Sequence, residues 1–187
     1  MRFIMSKKTK RLQRLIEREF EDERFLFTDK MLEAESRGFV STLDELVQNE
    51  ILVVALDARK QADSYWEASL SAREDGDPNN YCYVGTRVRF LRGTLQFEWF
   101  KNRTKPGEGE GKPRKVYSTY IPKGSGYRYS RALFKKEPEW AQEEINTVED
   151  RYALLRKRSA LLSAIKKNLR EYDKVVNKCF PNNEEDN

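Results

Sequence analysis

Apolar and polar positions change their period along the chain, from helical to alternating and back to helical. From residue 7 to about 37, Leu12, Ile16, Phe20, Glu23, Phe27, Met31 and Ala34 step by three or four with no proline or internal glycine, which predicts one long helix. Gly38 is placed to stop it. Thr42-Leu43-Asp44-Glu45 opens a second helix, with Ser41 or Thr42 as the cap and acids in the first turn. Its stripe runs through Leu43, Val47, Ile51, Val54, Ala58, Gln61, Tyr65, Ala68 and Ala72, and the turn-forming run Asp75 to Asn80 breaks it.

The period then becomes two. Tyr83 to Leu91 and Thr94 to Lys101 alternate on either side of Arg92-Gly93, which suits a tight hairpin turn. A two-residue turn pairs Phe90 with Leu95, Val88 with Phe97 and Thr86 with Trp99 on one face. Arg89 with Gln96 and Arg87 with Glu98 share the other, leaving Leu91 and Phe100 as apolar exceptions there. After the glycine-rich loop Thr104 to Pro113, Arg114 to Ile121 reads as a third strand ended by Pro122. A third helix is entered through Glu137-Pro138. Its seam of Val148, Tyr152, Leu155, Ser159, Leu162, Ile165, Leu169, Tyr172, Val176 and Cys179 is close to that of a coiled coil. At about 40 residues it would span roughly 60 Å, too long to stand without partners.

The expected fold is therefore α+β: a long antiparallel bundle of three coiled-coil-like helices with an inserted three-stranded antiparallel sheet. Residues 7–75 form a helical hairpin and 76–135 a basic antiparallel β module. Residues 136–180 form a long C-terminal helix packed on the hairpin, and 181–187 a disordered acidic tail. The long seam could equally bury a second copy of the chain.

Charge changes the picture most. Charged residues make up 36% of the 187 positions and the formal net charge is +5. That total hides a basic centre: residues 76–135 carry 13 basic and 4 acidic side chains, whereas the flanks are close to balanced. The same 60 residues hold half of the aromatics, and a focused positive field with stacking surfaces points to a polyanion such as nucleic acid. Lys7, Lys8, Lys10, Arg11, Arg14 and Arg18 make a second basic cluster, read as a solvated face or an auxiliary phosphate contact.

Candidate chemistry is thin. The chain has no histidine, which removes imidazole bases, Ser/His and Cys/His pairs and His-ligated metals. Cys82 and Cys179 form no metal or disulfide pattern. Of the four acids in the basic module, two lie in the glycine-rich loop, too few to hold two metals. No enzyme activity and no cofactor are expected. The longest apolar run, Ile51 to Leu56, is far too short for a membrane span, and Met1 to Ser6 has no extended apolar stretch, so a cytoplasmic protein is expected. Lys123-Gly124-Ser125-Gly126 reads as a plain turn or as a phosphate cradle, and Tyr127-Arg128-Tyr129 follows it with cations and rings. Arg87 and Arg89 could meet a DNA groove from a β-ribbon, or Arg87 could instead pair with Glu98 across the hairpin.

Arg87-Val88-Arg89-Phe90, Phe97-Glu98-Trp99-Phe100, Tyr120-Ile121-Pro122-Lys123-Gly124, Tyr127-Arg128-Tyr129-Ser130, Phe134, Trp140 and the run Glu149 to Arg156 resemble the MobI-type mobilisation proteins of conjugative plasmids and integrative conjugative elements. The likeness covers residues 83–172. It implies a relaxosome component that works at the origin of transfer beside a separate relaxase, without nicking DNA itself. Joined to the charge argument, it predicts an accessory protein that binds double-stranded origin-of-transfer DNA, contacts a relaxase or other relaxosome protein, and can form a homodimer. The candidate DNA contacts are Arg87, Arg89, Arg92, Lys101, Arg103, Lys105, Lys112, Arg114, Lys115, Lys123, Tyr127 and Arg128. The competing class is a protein–protein adaptor or inhibitor whose basic module docks an acidic partner. RNA binding is a third option.

Overall fold

The computed structural model describes residues 28–105 and 115–181, together with Gln13. Its elements in chain order are helix α1 (Asp29–Glu74), strands β1 (Val84–Leu91), β2 (Thr94–Lys105) and β3 (Lys115–Tyr120), and helix α2 (Glu139–Cys179). Short 3-10 turns at Pro78–Asn80 and Arg131–Phe134 connect them. The chain divides into two compact units, one of residues 45–167 and one of the segments before and after it.

The three-helix bundle is overturned: two long helices and one three-stranded antiparallel sheet are found among the described residues. The predicted stop at Gly38 and restart at Ser41 or Thr42 do not occur, because α1 runs through them for 46 residues. Gly38 does not adopt the left-handed conformation of a helix-ending glycine. Glycine inside a helix costs only about 1 kcal/mol against alanine, and its neighbours are anchored. Arg37 donates to Asn177 Oδ1 at 2.7 Å and to the Phe180 carbonyl at 3.2 Å. Phe39 meets Tyr172 edge to face at 5.5 Å. These contacts belong to the smaller unit, where Leu169 and Val176 are also buried. Residues 14–27, which carry much of the predicted first helix, lie outside the described residues.

The ends of α1 follow local chemistry. Thr28 Oγ1 accepts from the Met31 amide at 3.2 Å at the start. Gly76, at φ 72°, closes the far end as the left-handed residue after the helix.

Within the larger unit, α1 and α2 run antiparallel, since Arg158 pairs with Glu50 and Arg151 with Asp57, each at 2.5 Å. The Arg151 guanidinium holds the Asp57 carboxyl below the usual carboxylate range. The sheet order is β1-β2-β3. The hairpin register matches the expected one, with Thr86 opposite Trp99, Val88 opposite Phe97 and Arg87 opposite Glu98. Arg92 (φ 51°) and Gly93 (φ 74°) are both left-handed, as a two-residue turn that preserves strand twist requires.

Trp99 centres the core. It meets Tyr65 edge to face at 5.1 Å, Phe134 at 5.7 Å and Tyr152 at 6.0 Å. Helix α1 also covers the free edge of β1: Tyr65 Oη donates to the Val84 carbonyl at 2.7 Å and Trp66 Nε1 to that of Thr86 at 3.1 Å. The aromatic pair on α1 thus supplies the donors that an edge strand otherwise lacks. Phe100, the exception in the strand pattern, fills the opposite face with Trp66, above Gly85, where a side chain would collide with both rings.

Candidate nucleic-acid interface

A buried ion pair positions the basic module. Glu149 and Arg156 lie two turns apart on α2, and Arg156 donates to Glu149 Oε1 at 2.6 Å. The same carboxylate accepts from Trp99 Nε1 at 2.7 Å and from the Tyr129 amide at 2.8 Å. Arg156 also donates to the carbonyls of Tyr127 at 2.7 Å and Phe97 at 3.0 Å. Its guanidinium lies over the rings of Tyr129, Tyr152 and Phe97. Every strong group of the pair is satisfied, which is the condition under which buried charges are tolerated. One pair thereby ties α2 to the centre of β2 and to the loop carrying Tyr127 and Arg128. Neither residue is among the contacts expected from the sequence. The legible signal is an acid and a base seven apart, each beside the apolar stripe of α2.

A second set of buried polar groups sits where β2 leaves the core. Glu137 accepts from Lys101 Nζ at 2.5 Å and from Cys82 Sγ at 3.4 Å. Burial pushes the Cys82 thiol up to about 11 and the Tyr152 hydroxyl up to about 12, and raises Tyr65 and Tyr129 as well. These side chains are neutral donors of the core. No three Cys, Asp or Glu side chains among the described residues converge as a metal site requires.

The candidate contacts divide into paired and open groups. Arg87 Nε and Arg89 Nη2 both reach Glu98, at 2.9 and 3.0 Å, so one carboxylate serves two arginines. Arg87 also lies over Phe100 at 5.3 Å. The cross-strand ion pair weighed against groove contact is therefore present. Arg128 pairs with Asp150. Lys123 donates to the carbonyls of Gly124 and Gly126 and so closes its own glycine turn, with Gly124 at φ 85°. Tyr127 is exposed while its carbonyl is held by Arg156. Lys112 and Arg114 lie outside the described residues, as does the Lys7 to Arg18 cluster.

The open cations gather beyond the core. The outer half of β2 pairs with β3 so that Lys105 faces Lys115, Arg103 faces Tyr117 and Lys101 faces Thr119. Directly opposed residues share a face of an antiparallel pair, so Lys101, Arg103, Lys105, Lys115 and Tyr117 line one side of a two-stranded ribbon. Lys105 Nζ sits 5.2 Å from the Tyr117 ring centre. Arg103, Lys105 and Lys115 are exposed, as is every residue of β3. No carboxylate occurs in residues 101–105 or 115–120. Arg92 stands exposed at the hairpin turn, at the opposite end of β2.

Among the described residues no helix is long and apolar enough to cross a membrane. No curated protein and no solved structure matches the chain significantly. A sequence model of the MobI protein family, however, matches residues 54–170, more than half of the chain and a span that includes the sheet, the Glu149–Arg156 pair and the ribbon. The chain belongs to the MobI protein family, a family of accessory mobilisation proteins.

Proposed function

We propose that this protein is a double-stranded DNA-binding accessory protein of conjugative transfer, recognising the origin of transfer and assisting a separate relaxase. The observation that carries the reading is the ribbon of β2 and β3, where Arg103, Lys105 and Lys115 stand exposed on one face and neither strand's paired segment holds a carboxylate among the described residues. A two-stranded ribbon fits the major groove. Lysine and arginine on it would neutralise phosphates, and Tyr117 offers a ring for a base edge or sugar. Lys101 stands on the same face but is bound to Glu137, Arg92 adds an open charge at the hairpin turn, and Lys112 and Arg114 are further candidate contacts outside the described residues. Arg87, Arg89, Lys123, Tyr127 and Arg128 are flanking contacts whose positive groups, where they have one, already hold an intramolecular partner.

The test is fluorescence anisotropy on origin-of-transfer duplex, scrambled duplex and single strand across a salt series, with the wild type and an Arg103→Gln/Lys105→Gln/Lys115→Gln variant. The origin duplex should bind most tightly. The variant should lower the slope of log affinity against log salt by about 2.7, at about 0.9 for each phosphate left unneutralised. Its melting transition should be unchanged, since all three side chains are exposed. Equal affinity of the variant removes the ribbon from the interface. Absence of binding at low salt refutes the DNA reading.

A further inference from the structure

One apolar feature of the larger unit has no part in DNA binding. Between α1 and the tip of the β1–β2 hairpin lies an open trough of about 470 Å³, walled by Leu52, Ala55 and Leu56 on the helix and Val88, Phe90 and Leu95 on the strands. Leu56 is 70% exposed and Phe90 and Leu52 are each 52% exposed. Apolar side chains left open side by side on a charged protein mark a contact surface. Leu52, Leu56 and Arg59 follow one another along a helix face, the spacing that a second helix packs against.

The rim identifies the occupant. Arg59 and Arg89 line the trough, and Arg92 stands exposed at the turn that follows Phe90 and precedes Leu95. Among the salt bridges of these three guanidinium groups are two carboxylates, Asp63 on Arg59 and Glu98 on Arg89, and the second is already divided with Arg87. Arg89, one of the lining residues, keeps its Nε buried without an acceptor. A symmetric dimer through this surface would bring two such cationic rims together, which like-charge repulsion disfavours. Nucleic acid would gain nothing from the apolar walls.

We infer that the trough docks an acidic amphipathic helix of a protein partner, its apolar anchors seated between Leu56 and Phe90 and its carboxylates against the arginine rim. The apolar walls stand apart from the ribbon, and the rim shares only Arg89 and Arg92 with the proposed DNA contacts, so the test reads peptide and DNA binding separately.

The probe is a labelled helical peptide with leucines at i, i+4 and i+7 flanked by glutamates, compared by anisotropy with its lysine-flanked counterpart on the full-length chain. The glutamate peptide should bind at least about tenfold more tightly. Leu56→Ser should weaken it by a similar factor while affinity for DNA is unchanged, and Arg59→Gln should reduce the preference for the acidic peptide. Both positions are exposed, and an unchanged melting curve would show that the variants are folded. The inference is overturned if neither peptide binds at millimolar concentration, or if both bind equally. It is also overturned if sedimentation shows a dimer that Leu56→Ser abolishes, since the trough then serves a second copy.

Discussion

Strand β2 has two halves with opposite electrostatic character. From Leu95 to Phe100 it is the middle of the core: Trp99 donates to a buried carboxylate, and Glu98 binds the arginines of the neighbouring strand. From Lys101 to Lys105 it pairs with an exposed strand and carries cations that, among the described residues, meet no acid beyond Lys101's bond to Glu137. The inner half carries one acid and no base of its own, and the outer half three bases and no acid. What lies across the ladder and behind the strand sharpens that contrast. Charge is available to a polyanion only where folding has not already supplied a carboxylate, so under the proposed DNA reading the inner half holds the module and the outer half presents its charge.

The most damaging way to break this division is to remove the anchor of the inner half. Arg156→Met leaves the buried Glu149 without its cation and strips donors from the Tyr127 and Phe97 carbonyls. Urea unfolding should register a loss of about 3–5 kcal/mol, the usual consequence of stranding one member of a buried pair. Glu149→Gln added to Arg156→Met should recover part of that loss, and no recovery would show that the guanidinium acts by packing on its three rings alone. A smaller effect is expected at Gly85. A Cβ there would lie 2.6 Å from Phe100 and 2.7 Å from Trp66, both aromatic ring atoms that cannot swing aside cheaply. Gly85→Ala should cost about 1–3 kcal/mol by overpacking. The exposed cations of the ribbon should keep their DNA affinity well below the new melting temperature.

The hairpin was readable from the chain because alternation and a two-residue turn admit one register that separates apolar from charged residues, and that register is observed. The single helix α1 was not. Glycine's stop signal is local, whereas the contacts that carry the helix past Gly38 come from Asn177 and Phe180, about 140 positions away. The site divides in the same manner. Glu98 could be matched to Arg87 from the strand register, but the acids that pair with Lys101 and Arg128 arrive from the approach to α2 and from α2 itself. Those partners depend on how the helix docks, and no short-range pattern records docking. The Glu149–Arg156 pair was visible only as two charges bordering an apolar stripe, a pattern shared with ordinary solvated helix faces.

The mildest change tests the boundary between the halves directly. Glu98→Gln keeps the shape of the side chain and an oxygen that can still accept from Arg87 Nε, but it removes the one negative charge between two arginines. Both arginines are more than a third exposed, so stability should fall by less than about 1 kcal/mol. DNA binding should move in the opposite direction. Releasing one net positive charge on the β1–β2 face should tighten affinity for duplex at low salt and steepen the salt slope by about 0.9. The same substitution combined with the ribbon triple variant should restore part of the missing slope, because the arginines would then supply a phosphate contact that the ribbon no longer makes. An unchanged slope in both backgrounds would place the Arg87–Arg89 face outside the DNA footprint and leave recognition to the outer half of β2 and β3.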